Sequence, residues 1–210
     1  MIGQLITDLW FLWILVVIAL GCSLLRPMLK GAVGEKTTAD ILAMLDPARY
    51  KVMNDVFLGV GGKTSQIDHV VVSDFGIFVI ETKNYKGRIS GDDNLEYWIQ
   101  AFWGKKEKLY SPLRQNYSHT LALKHHLKNF PKVKYIPIIV FSARAELKVK
   151  TTADVVYSMN LLKTIRKYTE VNLTKQDKDA IIEKINLVHI KSKDACQKQG
   201  DFIKQQKAKI

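Results

Sequence analysis

The stretch KTSQIDHVVVSDFGIFVIETKNYKG, Lys63 to Gly87, contains two apolar runs on either side of an Asp-Phe-Gly turn. Residues 66–73 and 77–84 therefore have the pattern of a β-hairpin. Each run also carries an acid, Asp68 in the first and Glu81 in the second, where the alternation calls for a core residue. An ionised carboxylate that is buried without a partner costs several kcal/mol, so we expect a compensating group nearby.

The register of this hairpin decides whether the two acids meet. A two-residue turn pairs Ser73 with Gly76, and the same register then places Asp68 opposite Glu81. Lys83 alternates onto the face of Glu81. A three-residue turn would put the two acids on opposite faces, so the sequence predicts an even-numbered loop.

Two opposed carboxylates repel each other and favour a bound cation. At about 5 Å and an effective dielectric near 20, the repulsion is roughly 3 kcal/mol, which a divalent ion would offset. Carboxylate oxygens without cysteine or clustered histidine favour Mg²⁺ or Mn²⁺ over zinc. The alternative is a solvent-facing salt bridge in which Lys83 neutralises Glu81 and Asp68 only ends a strand.

A helix is predicted in GEKTTADILAMLD, residues 34–46, where Glu35, Ala39 and Leu42 share one stripe. Glu35 begins this apolar face and is a candidate third acid of the site. Its alternative role is to complement the helix dipole from the first turn.

A second helix is predicted from the Ser111-Pro112 start to about Asn129. Gln115, His119 and His126 fall on one stripe of this helix, together with an alanine. The two histidines are interpreted as packing or surface residues, because isolated helical histidines usually are.

Flanking segments suggest further strands. Tyr50 to Leu58 is strand-like and precedes a glycine-rich loop, and residues 97–108 read as a second hairpin that turns at Gly104 to Lys108. Trp98 and Trp103 are interpreted as core aromatics, with base stacking as the alternative. KYIPIIVF, residues 134–141, predicts a buried strand that ends the core sheet.

The apolar run from Leu9 to Leu25 is uncharged and has roughly the length of a membrane-spanning helix. Basic residues follow the run and none precedes it, so the positive-inside rule predicts an external N-terminus and a cytoplasmic remainder. Residues 27–34 are expected to form a hinge. At the other end, Ser158 and Thr174 are predicted caps of helices at 159–168 and 175–188.

Composition favours an anionic partner in a reducing compartment. The 210-residue chain has a net charge of +12, and its two cysteines cannot form a disulfide framework. Residues 31–103 hold seven Lys and Arg against ten Asp and Glu, whereas residues 104–150 hold eleven against two. Nucleic acid is the favoured partner, and the alternatives are the anionic membrane surface and an ordinary solvated face. The predicted phosphate contacts are Arg114, Lys124, Lys128, Lys132 and Lys134.

The motifs GAVGEK, QIDHVVVS, GIFVIETKNYKG and PLRQNYSH, in this order, resemble those of the NERD (nuclease-related) domain. That domain is a branch of the PD-(D/E)XK restriction-endonuclease-like nucleases. The resemblance implies an α/β fold with a central mixed β-sheet flanked by helices. Here it would occupy residues 31–150, between an anchor at 1–30 and a basic, mostly helical extension at 151–210.

The resemblance also implies roles for individual residues. Asp68 and Glu81 would bind one or two Mg²⁺ ions, Glu35 would complete or flank that shell, and Lys83 would orient water or stabilise phosphate charge. Gln115 matches a glutamine that holds the active site or the phosphate backbone. The implied activity is metal-dependent hydrolysis of DNA or RNA, and the alternative is a non-catalytic module that binds nucleic acid or a membrane-associated partner.

Overall fold

The computed structural model describes residues 10–190, except the side chains of residues 10–12 and 19–30. Its helices are α1 (Trp10–Leu42), α2 (Pro112–His126), α3 (Leu161–Ile165) and α4 (Lys175–Val188), with a 3₁₀ turn at Ser158–Asn160 before α3. Its strands are β1 (Tyr50–Val60), β2 (Lys63–Ser73), β3 (Gly76–Lys83), β4 (Gly87–Asp92), β5 (Tyr97–Phe102), β6 (Lys105–Tyr110), β7 (Tyr135–Phe141), β8 (Ala145–Lys150) and β9 (Asp154–Tyr157). The fold is mixed α/β.

The main sheet has the strand order β1-β2-β3-β7-β9. The β2–β3 turn pairs Ser73 with Gly76, which confirms the predicted two-residue loop. Ser73 Oγ donates to the carbonyl of Gly76 and accepts from the N–H of Phe75, so the turn is fixed from inside. The loop predicted before β2 is instead a second two-residue turn. Gly61 and Gly62 both have positive φ there, which suits glycine.

The sheet becomes parallel beyond β3, because β7 pairs with β3 and β9 pairs with β7 in the same direction. The apolar residues of β3 and β7 are almost entirely buried, as expected for strands covered on both faces. β7 was predicted to end the sheet, and this is wrong because β9 lies outside it. The predicted domain boundary at residue 150 therefore falls just before a strand of the main sheet.

Four strands form a second mixed sheet, in the order β6-β5-β4-β8, where a single central sheet was expected. Its largest buried side chain is Trp98, which stacks on Phe141 of the main sheet at 6.4 Å between ring centroids. Gly91 makes this possible, since a Cβ there would lie 2.3 Å from the indole. The predicted core role of Trp98 is confirmed, whereas that of Trp103 is wrong because its side chain is exposed.

Helix α1 runs without interruption from Trp10 to Leu42. The predicted hinge at residues 27–34 is therefore wrong, because the change from apolar to polar sequence falls within one helix. The described part of the chain holds no helix that meets the length and hydropathy of a membrane span. Residue 9, where the predicted anchor begins, lies outside the described residues.

The remaining helices cover the main sheet. The start of α2 at Pro112 is confirmed, but Ser111 makes no side-chain capping hydrogen bond. Helix α4 spans the predicted residues and begins with a capping box between Thr174 and Asp177. The shorter α3 covers only part of the predicted 159–168 helix. The buried residues of α4 belong to one of the two clusters of core residues on the main sheet, and those of α3 belong to the other.

Candidate active site

A cleft of about 1380 Å³ is lined by residues of α1, β2, β3 and α2, and the β5–β6 hairpin forms one of its walls. All five residues predicted as catalytic line this cleft: Glu35, Asp68, Glu81, Lys83 and Gln115. They come from four separate elements, so tertiary structure brings them together.

Glu81 lies near the end of β3 and is buried in an ion pair. Its side chain is 2% exposed, and Lys83 Nζ lies 2.5 Å from its Oε1. Lys83 Nζ also donates to Gln115 Oε1 at 2.9 Å. Burial raises the pKa of Glu81, but His119 and Lys83 outweigh burial and hold the pKa below its usual value. The predicted shared face of Glu81 and Lys83 is confirmed, and the pair is buried where the alternative had it facing solvent.

Asp68 lies where β2 separates from β3. The backbone pairing of these strands ends at His69 and Ile80, one pair before the two acids. Asp68 Oδ2 then accepts from the N–H of Thr82 at 2.8 Å, so its side chain takes the place of the next backbone acceptor. Burial, followed by the charge of Glu81, raises the pKa of Asp68 to about 7. This carboxylate lacks sufficient positive charge around it.

Glu35 reaches the cleft from the C-terminal part of α1. The dipole interpretation is therefore wrong, because Glu35 is far from the first turn of its helix. Burial, Asp55 and Glu81 together raise the pKa of Glu35. The buried Thr38, one turn later, contacts Thr82 Oγ1 at 3.2 Å and holds this part of α1 against β3.

Helix α2 is held against the sheet by the buried Asn116. Its Nδ2 donates to the carbonyls of Val79 on β3 and Ile138 on β7, at 2.9 and 3.2 Å. These two bonds fix the helix across both strands. Gln115, the neighbouring residue, is thereby kept within reach of Lys83.

His119 belongs to the site, a role that the sequence analysis did not assign to it. Its Nε2 lies 3.1 Å from Glu81 Oε2, and its Nδ1 lies 2.7 Å from Ser65 Oγ. The directions at His119 Nε2 and Glu81 Oε2 leave both buried atoms without a well-aligned hydrogen bond. The available signal was its position four residues after Gln115. His126 instead contacts the carbonyl of Gly59, in keeping with a packing role.

The family model of the nuclease-related domain, NERD, matches residues 30–142, which is more than half of the chain. The chain belongs to the NERD family. An uncharacterized protein of Bacillus anthracis, pXO1-01, is 34% identical over 188 residues, covering 87% of this chain and 88% of that protein. A crystal structure of a protein of unknown function, AF1548, shares 13% identity over 80% of this chain and 94% of that chain, with a TM-score of 0.31.

Some of the side chains in the NERD cleft have the oxygen atoms that a hard divalent cation requires. Asp68 and Glu81 offer carboxylate oxygens, which Mg²⁺ and Mn²⁺ prefer, and Glu81 Oε2 is a buried oxygen that lacks an aligned hydrogen bond. Among the side chains that the structure describes, no three His, Cys, Asp or Glu residues are arranged to hold a metal ion. The two opposed acids therefore fit, whereas a preformed three-ligand set that includes Glu35 is not present among the described residues.

The five basic residues predicted to bind nucleic acid do not line the NERD cleft. Arg114 and Lys124 line a separate cavity of about 520 Å³. Successive helical residues point about 100° apart, so Arg114 faces away from its neighbour Gln115. Lys134 Nζ lies 3.6 Å from Glu170 Oε2. The other two predicted contacts, Lys128 and Lys132, are exposed on the segment that follows α2.

The lysines that do line the cleft are Lys63, Lys83 and Lys86. They lie on or directly after the β2–β3 hairpin, in the half of the domain whose net charge is negative. Counting charges along the sequence did not indicate which lysines reach the acids.

Proposed function

We propose that this NERD protein is a nuclease that hydrolyses phosphodiester bonds of DNA, or of RNA, with Mg²⁺ or Mn²⁺ as its cofactor. Membership of the wider PD-(D/E)XK superfamily is part of the proposal. The observation that carries it is the convergence of Asp68, Glu81 and the Lys83–Gln115 pair in one cleft. Family membership supports a nuclease-related role, and the cleft supports the chemistry.

The residues of the cleft would have different roles in the reaction. Asp68 and Glu81 would hold the cation, with Glu35 at its edge. Once bound, the cation would lower the pKa of a water molecule and offset the charge that develops on the phosphate. Lys83, fixed by Gln115, presents a positive charge that stabilises the phosphate or orients the water. His119 positions the second oxygen of Glu81.

The test is a cleavage assay with the full-length protein on labelled DNA and RNA oligonucleotides, with Mg²⁺, Mn²⁺ or EDTA. Cleavage should require the metal and should be lost in Asp68→Asn and Lys83→Met. Glu146→Gln is the matched control, since Glu146 is exposed on β8 outside the cleft. Activity that survives in Asp68→Asn, or that persists in EDTA, would overturn the proposal.

A second candidate function is binding without cleavage. It is favoured by the ion pair of Glu81 with Lys83, which already neutralises this carboxylate without a metal ion. This candidate predicts that the wild-type protein retains oligonucleotides in every metal tested and releases no product. It also predicts that Asp68→Asn binds as well as wild type.

We also propose that residues 9–25 anchor the protein in the cytoplasmic membrane, with the N-terminus outside. The support is the uncharged apolar run, within which the side chains from Trp13 to Ile18 are exposed to solvent. A reporter fused after Ile210 should be active only inside the cell. Release of the protein by salt or carbonate washing of membranes would contradict the anchor.

A further inference from the structure

The β5–β6 hairpin ends in an unusual turn. Phe102 pairs with Lys105, so Trp103 and Gly104 form a two-residue loop. Both have positive φ, +51° for Trp103 and +72° for Gly104. Turns of this kind favour Asn-Gly or Gly-Gly, and a bulky residue in the left-handed region is a rare outlier. The first position of the turn therefore holds a residue that strains it.

The Trp103 side chain lies mostly in solvent. It is 87% exposed, and its described ring contact is with Phe102, tilted at 6.1 Å between centroids. Trp98, five residues earlier, is by contrast fully buried. Residues held in such backbone conformations cluster at functional sites, which makes Trp103 a candidate for one.

The hairpin that carries Trp103 is one wall of the cleft that holds the acids. Four of its residues line the cleft: Gln100, Phe102, Glu107 and Tyr110. The wall is tied to the chain that follows β3, because Gln100 Nε2 donates to the carbonyl of Lys86 at 2.8 Å. Lys86 Nζ in turn lies 5.8 Å from the centre of the Phe102 ring. Phe102 and Lys86 thus line the same cleft as the acids, and Trp103 lies next to Phe102 at the tip of the hairpin.

The same hairpin is strongly basic. Lys105, Lys106 and Lys108 are exposed on β6, and Glu107 is the one acid between them. A basic surface interleaved with exposed aromatic rings is typical of proteins that bind single-stranded nucleic acid. These three lysines lie on the hairpin beside the cleft and do not line the cleft itself.

We propose that the β5–β6 hairpin binds single-stranded nucleic acid by stacking an unpaired base on Trp103, while its lysines contact the flanking phosphates. The proposal deepens the proposed nuclease function, on which it rests, by naming unpaired strands or splayed ends as the substrate class. Bases within a duplex are already stacked, so they offer no free face to the indole. A membrane surface also attracts Trp and Lys, but Phe102 and Tyr110 of the same hairpin line the acid cleft, which favours nucleic acid.

The test measures binding in EDTA, so that it is independent of cleavage. The full-length protein is titrated into fluorescein-labelled oligothymidylate and into a blunt duplex of equal length, and binding is read by anisotropy. Trp103→Asn should weaken single-strand binding by about 5- to 150-fold, the range expected for one lost stacking contact, and should change duplex binding less than twofold. Asparagine suits the positive φ, so this variant keeps the turn. Trp103→Phe should recover most of the affinity.

Two further readouts separate stacking from charge. A 2-aminopurine placed in the single strand should be quenched by wild type and not by Trp103→Asn. Lys106→Gln should reduce the slope of log affinity against log salt by about 0.7, whereas Lys163→Gln on α3 should leave it unchanged. Equal loss on both strands, or no loss on either, would overturn the proposal. So would a Trp103→Asn defect confined to vesicles of phosphatidylglycerol and phosphatidylcholine, which would indicate a membrane contact.

Cleavage is scored separately with Mg²⁺. A protein that binds single strands through Trp103 but never cuts would refute the nuclease function and leave the stacking site standing. A protein that cuts duplex and single strands alike, with no effect of Trp103→Asn on KM, would refute the substrate class and leave the nuclease function standing.

Discussion

Replacing Asp68 with asparagine is expected to stabilise the metal-free protein above neutral pH. The reason is that the folded protein buries this carboxylate close to Glu81, and both features disfavour its ionised form. Burial and the nearby charge of Glu81 raise the pKa of Asp68 to about 7 from an ordinary 3.8. Asparagine keeps a carbonyl oxygen that can accept from the N–H of Thr82, so the hydrogen bond that anchors the side chain is preserved.

The size and sign of this effect follow from proton linkage. Because the folded pKa of Asp68 lies above its unfolded value, folding takes up a proton between about pH 4 and pH 7. The free energy of unfolding therefore falls as the pH rises through this window. Each pKa unit corresponds to about 1.4 kcal/mol, so the ionised Asp68 destabilises the wild type by up to about 4 kcal/mol above pH 7. Asp68→Asn removes this loss.

Urea unfolding of the wild type and of Asp68→Asn in EDTA, at pH 4.5 and at pH 8, measures the difference. The variant should gain stability at pH 8 and little at pH 4.5. Glu146→Gln, on the exposed surface of β8, should show no such pH dependence. If Asp68→Asn were less stable than wild type at pH 8, the claim that this carboxylate is short of positive charge would be refuted.

Three other predictions concern single contacts. Lys83→Met should destabilise the fold by about 3–5 kcal/mol at pH 8, because it leaves Glu81 buried without its partner. In urea unfolding, the double variant Lys83→Met, Glu81→Gln should recover most of this lost stability. His119→Ala should raise the pKa of Glu81, followed by carboxyl ¹³C NMR, since His119 is one of the groups that lower it; an unchanged pKa would contradict this contact. Thr174→Ala should cost about 1 kcal/mol by removing its hydrogen bond to the N–H of Asp177, and an unaltered urea midpoint would argue against the capping box.

Local sequence signals predicted the hairpin and the cap well. The Ser73–Gly76 pairing followed from turn length, and the start of α4 followed from Thr174 as a cap. The second sheet was not predictable in the same way, because β4 and β8 are joined by parallel pairing between distant segments. Long-range pairing leaves no local period. The hinge was predicted wrongly because a change in composition does not end a helix.

The site was predicted as far as one hairpin could define it. Asp68, Glu81 and Lys83 lie on one hairpin. Its turn length and the alternation of its strands therefore predict that the three side chains lie close together. His119 lies beside Glu81 because Asn116 holds α2 against the sheet. No periodicity in the sequence indicates this contact between a helix and a strand. Similarly, the strain at the hairpin tip is a backbone property that the residue type alone does not indicate.

The most direct test of the central claim is Mn²⁺ binding to the full-length protein, measured by electron paramagnetic resonance at pH 8. The account predicts that the wild type binds Mn²⁺, that Mg²⁺ displaces it, and that the affinity falls as the pH is lowered through about 7, where a proton competes at Asp68. Asp68→Asn should lose this binding and Glu146→Gln should retain it. Equal Mn²⁺ binding by wild type and Asp68→Asn would contradict the claim that the paired carboxylates form a cation site.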